Sequence, residues 1–178
     1  MVLLGAQNLC LAYGGPKLLN HASFEIRSGD RVCLLGRNGS GKSSLFRILL
    51  GKEKPDTGQF EYAINLNVKG LPQEVPTDIH GSCFEIIAQG FGTIGKTLAR
   101  FKRLSNQMLI EENSTTVDSL AEIQEQIESA EAWGLIPKIE QVASRLRIEA
   151  DANFSTLSAG LKRRVLLGKA LVSEPDLL

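Results

Sequence analysis

One run, Gly36-Arg37-Asn38-Gly39-Ser40-Gly41-Lys42-Ser43, limits what this chain can fold into more than any other stretch. The residues before it, Arg31 to Leu35, form a continuous apolar run that predicts a strand buried on both faces. Those after it, Lys42 to about Leu50, place Leu45, Ile48 and Leu49 on one helical face and offer Gly51 as a C-cap. Strand, glycine-rich loop and helix in that order predict an α/β fold with an anion cradle at the turn. Glycines at 36, 39 and 41 let successive backbone N–H groups point inward, and the helix start adds its positive end. Lys42 would set a point charge against the β and γ phosphates of a nucleotide, and Ser43 would offer its hydroxyl to magnesium. A loose glycine-rich turn needs neither the Lys-Ser pair nor the flanking elements.

Around that centre the texture divides. Val2 to Leu35 alternates in short runs broken at Gly14-Gly15-Pro16 and Ser28-Gly29-Asp30, which predicts antiparallel strands, and Gly58 to Val68 alternates again. After Pro72-Gln73 the pattern is helical until the final residues. Three regions are expected: 1–75, a nucleotide-binding core with an antiparallel β subdomain; 76–155, a helical subdomain; and 156–178, a second short motif and its helix.

Within the helical region, Lys96 to Leu109 carries Lys96, Arg100, Lys102 and Arg103 and no acid, with Leu98, Phe101, Met108 and Leu109 along one stripe. Val117 to Ala130 carries Asp118, Glu122, Glu125 and Glu128 and no base, with Leu120, Ile123, Ile127 and Ala130 spaced by three or four. Glu112-Asn113-Ser114-Thr115-Thr116 between them has turn and N-cap chemistry, so an antiparallel helical hairpin is predicted. Its charges either solvate the outer faces and attract one another, or the basic helix reaches an RNA or protein surface.

Composition excludes several classes. Lys plus Arg and Asp plus Glu are both 20 in 178 residues, so no global field draws the chain to polyanions, and any such contact must be local. No run approaches the roughly 18 apolar residues of a membrane span, and Met-Val-Leu-Leu-Gly lacks the basic start of a signal peptide. Cys10, Cys33 and Cys83 have no metal-ligand spacing, and two of them fall in strand-like runs, consistent with a reduced, cytoplasmic setting.

A second motif, Leu157-Ser158-Ala159-Gly160-Leu161 followed by Lys162-Arg163-Arg164-Val165 and Gly168-Lys169-Ala170-Leu171, resembles the signature of ATP-binding-cassette proteins. With the loop it marks the chain as similar to ATP-binding-cassette ATPases, and the segment between Gln73 and this motif resembles the ABC-F class, Uup-like, and a first cassette. Phe84-Glu85-Ile86-Ile87-Ala88, the helical pair, Ala132-Trp133-Gly134-Leu135 and Leu171 to Pro175 strengthen that likeness, with Trp133 equally readable as a core anchor. The fold implied is a P-loop NTPase cassette with an antiparallel β subdomain and a helical subdomain bearing the hairpin as an arm.

The resemblance implies ATP and Mg2+ as ligands. Gly36, Arg37, Asn38, Gly39, Ser40, Gly41, Lys42, Ser43 and Ser44 would hold phosphate, and Tyr13 would stack on adenine unless it is a plain strand residue. Gln73 would touch the metal with Ser43, unless it is a polar loop residue, and Ser158, Ala159 and Gly160 would meet the γ phosphate held by a second cassette. Ala159 and Leu161 depart from the usual glycine and glutamine. Alanine is tolerated there only if its φ is negative. Further implied partners are the ribosome and RNA, or DNA. The chain ends before the strand that carries the metal-binding aspartate and catalytic glutamate of such proteins. A catalytically poor, self-associating polypeptide with an exposed sheet edge is therefore expected. A transporter motor subunit and a DNA-maintenance ATPase are the alternatives.

Overall fold

The computed structural model of the chain describes residues 1–108 and 114–178. They form two compact units, one of Met1–Gly70 with Pro175–Leu178 and one of Leu71–Glu174, each with its own apolar core.

The first unit is built on a three-stranded antiparallel sheet of order β2-β1-β3, from β1 (Val2–Leu11), β2 (Leu19–Arg27) and β3 (Thr57–Tyr62). The central strand pairs Leu4 with Ile26 and Tyr62, and Ala6 with Phe24 and Phe60. Its register slips after Gln7, where Asn8 takes a φ of 51° and donates its N–H to Ser23 Oγ at 2.9 Å. The extra residue of that bulge strengthens the local twist. The core joins Ala6 and Leu9 to Leu45 of helix α1 (Lys42–Leu49), with Ile48 also buried. The helix ends within a residue of the expected place, but its C-cap is Leu50 rather than Gly51, which follows at a φ of 68°.

Arg31 to Leu35 overturns the strand expectation. The segment pairs with no strand among the described residues, Val32 is 68% and Leu35 86% exposed, and Cys33 is exposed as well. A continuous apolar run becomes a doubly buried strand only when neighbours supply ladder partners and cover both faces, and the β2-β1-β3 sheet does neither here. The alternation of Gly58 to Val68 likewise yields less strand than expected. β3 ends at Tyr62, and Val68 instead makes a parallel bridge to Leu177. That bridge is fixed by Lys69 N–H donating to the Leu177 carbonyl and by Asn67 N–H donating to Asp176 Oδ2, both at 2.9 Å.

The second unit is helical: α2 (Cys83–Ala88), α3 (Thr93–Met108), α4 (Ser114–Ser129), α5 (Leu135–Arg145) and α6 (Ala159–Leu171). Its core gathers Phe84, Ile86, Ile87, Leu98, Ile123, Ile127, Ile139, Phe154 and Val165, all almost fully buried. Short α2 is held by Ser82, whose hydroxyl accepts the Glu85 N–H at 3.2 Å, the first half of a capping box. Gly95 is where α3 crosses the end of α2, since a Cβ there would lie 1.8 Å from the Ala88 carbonyl oxygen. Pro137 sits in the first turn of α5, where no helical N–H partner is lost.

The basic and acidic helices are both present and pack together: Thr93, Lys96, Thr97 and Arg100 share a shallow depression with Ile123 and Gln126, the antiparallel sense expected. Their stripes are correct at Leu98, Leu120, Ile123 and Ile127, whereas Ala130 lies past the helix end and is exposed. Ser114, Thr115 and Thr116 belong to α4 rather than to a turn; Leu109, Glu112 and Asn113 lie outside the described residues. Mutual attraction of the two charged faces is not found among the described residues. Lys102 pairs with Asp151 at 3.4 Å and Arg103 with Glu85 at 3.5 Å, while Glu122, Glu125 and Glu128 face solvent. The hydrophobic stripes set the rotation of each helix, and that rotation turns the acids outward. Trp133 is no buried anchor either: it is 38% exposed and meets Phe101 edge-on, with centroids 5.2 Å apart.

Candidate phosphate-binding site

Residues 36–43 form a closed turn at the start of α1. Ser40 N–H donates to the Arg37 carbonyl at 3.2 Å, and Gly39 and Gly41 take φ of 80° and 89°, a region that favours glycine. Space is also tight at two of the glycines. A Cβ on Gly36 would come 2.6 Å from Ser40 Oγ, and one on Gly41 would come 3.0 Å from Leu18 Cβ. Gly41 is the N-cap of α1, so no side chain caps the helix, and no acid occupies its first turn. The helix start therefore presents N–H groups and positive potential without a resident anion.

Lys42 crosses this cradle. Its ammonium donates to the carbonyl oxygens of Gly36 at 2.7 Å and Arg37 at 2.8 Å, and it forms no ion pair among the described residues. A full charge held by two carbonyl dipoles can exchange them for phosphate oxygens with a gain in Coulomb energy. Ser43 is exposed in the first turn of α1, and Arg37 and Asn38 are exposed on the turn itself. Ser44 differs: it is 5% exposed, and its hydroxyl accepts from Arg47 Nη2 at 3.1 Å, which turns it away from solvent. The residues present thus fit a polyphosphate, with the exposed Ser43 hydroxyl oxygen able to serve as a ligand for a hard cation.

Tyr13 lies in the same unit and is 56% exposed. Its hydroxyl donates to Glu53, accepts from Arg47 Nη2 at 3.2 Å and lies 3.4 Å from Ser44 Oγ, while Arg47 Nε donates to Glu53 Oε2 at 2.9 Å. Arg47 and Glu53 are absent from the sequence expectation. Only the Ser44–Arg47 spacing of three on α1 hinted at them, and nothing in the sequence brings Tyr13 to their side. The Tyr13 hydroxyl and then the Arg47 guanidinium hold the Glu53 carboxyl below its ordinary value, and Glu53 raises that of Arg47.

The second motif and Gln73 belong to the other unit. Ser158 is the N-cap of α6, its hydroxyl accepting the Leu161 N–H at 3.4 Å, and Ser158, Ala159 and Gly160 are all exposed. Ala159 is helical with negative φ, the condition under which alanine is tolerated. The helix start has no acid in its first turn, and Lys162 stacks over the Phe154 ring with its Nζ 5.6 Å from the centroid. Gln73 lies in an exposed bend outside any strand.

A glycine cradle that opens a helix, crossed by a lysine and followed by an exposed serine, together with a separate helical unit that carries a second exposed helix start, is the arrangement of a P-loop nucleotide-binding cassette. The chain belongs to the ABC transporter family, whose pattern it matches over residues 19–178. The Uup-like resemblance is also upheld: the chain is 33% identical over its whole length to "ATP-binding protein Uup" of Escherichia coli K12. It is 33% identical over 94% of its length to "Energy-dependent translational throttle protein EttA" of Mycobacterium tuberculosis. It spans 28% and 30% of the lengths of those two relatives. The fold is shared with a nucleotide-free ATP-binding cassette from an ABC transporter, with a TM-score of 0.62 and 20% identity over 98% of this chain and 66% of that one. No described helix is long and apolar enough to cross a membrane.

Proposed function

We propose that the chain is the first ATP-binding cassette of an ABC-F, Uup-like ATPase that works in the cytoplasm on ribosomes. The observation that carries the nucleotide part is Lys42 bridging the Gly36 and Arg37 carbonyls at 2.7 and 2.8 Å across an uncapped helix start. Lys42 would exchange those carbonyls for phosphate oxygens, the glycine turn would supply N–H donors, and Ser43 and Gln73 are the residues proposed to hold magnesium. Tyr13 serves the adenine, and Ser158, Ala159 and Gly160 present the α6 start to nucleotide held by a second cassette. By this reading 1–75 is the nucleotide core, 76–155 the helical lobe with its hairpin arm, and 156–178 the signature and its helix.

Hydrolysis belongs to the whole protein. Among the described residues no acid pairs with Lys42, and no cluster of His, Cys, Asp or Glu forms a metal site. By the same reading a polypeptide of residues 1–178 binds Mg-ATP and turns it over poorly, which a phosphate-release assay checks. The relatives' names support the translational role, one of them being a translational throttle protein.

The test is co-sedimentation of the full-length protein with ribosomes, with and without ATP, in a variant whose hydrolysis is blocked so that the ATP state persists. Pelleting only with ATP supports the proposal. No pelleting in either condition rejects the ribosomal role in favour of a transporter motor or DNA-maintenance ATPase. Failure of the wild-type chain to bind Mg-ATP rejects the nucleotide reading itself.

A further inference from the structure

Tyr13 is held at its hydroxyl while the residue as a whole is more than half exposed. The loop that carries it is fixed at both ends: Ala12 N–H donates to Asp56 Oδ2, and Leu18 N–H donates to the Leu11 carbonyl, each at 2.8 Å. Leu18 in turn lies close to Gly41, since a Cβ added to that glycine would come 3.0 Å from Leu18 Cβ. The ring therefore stands in the same unit as the cradle, on a loop that abuts it. Its hydroxyl is tied to Glu53, Arg47 and Ser44, yet the residue is 56% exposed and joins none of the aromatic pairs among the described residues. A solvated tyrosine ordinarily samples several rotamers; one gripped through its hydroxyl has already lost that freedom before a ligand arrives.

We propose that Arg47 and Glu53 are positioning residues, a clamp that holds the Tyr13 ring beside the phosphate loop as a flat platform for the base of the bound nucleotide. The inference rests on the nucleotide reading above and adds the origin of base-dependent affinity. Arg47 is suited to the task because its planar fork reaches three acceptors together: Glu53 Oε2 at 2.9 Å, Ser44 Oγ at 3.1 Å and the Tyr13 hydroxyl at 3.2 Å. It lies on the helix that begins with Lys42 and Ser43, so base platform and phosphate cradle share one rigid element. A plain brace between β1 and α1 would give the same hydrogen bonds, but it would not distinguish a ligand with a base from one without.

The experiment is calorimetric titration of the chain with ATP and with inorganic tripolyphosphate, both with magnesium, for wild type, Tyr13→Phe, Glu53→Ala and the double variant. Tyr13→Phe retains the ring and fold and removes only the tether. Each single variant is expected to weaken ATP binding about fivefold, as the loss of one aromatic contact would. Tripolyphosphate binding stays unchanged, and the double variant is no weaker than either single one, because one clamp is lost in each. Unchanged ATP affinity in either single variant overturns the clamp, as does an equal loss for tripolyphosphate. Wild type binding tripolyphosphate as tightly as ATP overturns the platform while the phosphate loop stands. Wild type binding neither removes the phosphate-loop reading and this inference together.

Discussion

Lys42 and Glu53 are charged groups whose roles come from what surrounds them. With its ammonium on two carbonyls and no carboxylate partner among the described residues, Lys42 is well placed to exchange its contacts for phosphate. Lys42→Ala should weaken Mg-ATP binding by about a hundredfold, since two charge-assisted contacts are lost; retention of wild-type affinity in calorimetry would discard the assigned role. Glu53 makes a pH prediction. Tyr13 and Arg47 hold its folded-state pKa below the ordinary carboxylate value of about 4.3. Its contribution to stability is therefore full above that value and is lost as pH falls through the lower folded value. Urea midpoints measured downward from about pH 5 should fall more steeply for wild type than for Glu53→Gln. Parallel profiles would show that the carboxylate is not held in this way.

At the scale of elements, α6 and α4 show different dependencies. α6 begins at a serine that both caps the helix and is exposed as a candidate anion contact. Ser158→Ala should cost about 1 kcal/mol of stability through the lost cap, read as a lower denaturation midpoint, whereas Ser158→Asp should largely keep the cap. α4 depends on its inner stripe. Ile123 is fully buried against the helical core, so Ile123→Ala should cost about 2–5 kcal/mol, while the exposed Glu125→Ala should cost little. Equal effects at the two positions in thermal melts would contradict the observed rotation of α4.

The molecule as a whole has two cores with no member in common, one around Leu9 and Leu45, the other around Phe84, Ile123 and Val165. Separate cores favour separate cooperative transitions. Calorimetry is expected to give a total enthalpy above the van 't Hoff value, with Leu9→Ala shifting one component and Ile123→Ala the other. A single two-state transition that both variants shift alike would show that the units melt as one.

The sequence by itself determined the elements whose signals are local: the glycine turn with Lys42 and Ser43, the start and stop of α1, the stripes of α3 and α4, and Ser158 at the head of α6. Each is fixed by backbone conformation, capping or period within a dozen residues, which a linear chain carries in full. Tertiary structure alone decided the rest. Arg31 to Leu35 has every local mark of a buried strand and is none, because strand formation needs partners that local sequence cannot supply. The opposite charges of α3 and α4 point past one another because core packing, not surface attraction, sets helix rotation. The Tyr13–Arg47–Glu53 cluster joins residues up to forty positions apart in sequence; only the close packing of the β1–β2 loop against α1 brings them within hydrogen-bond reach.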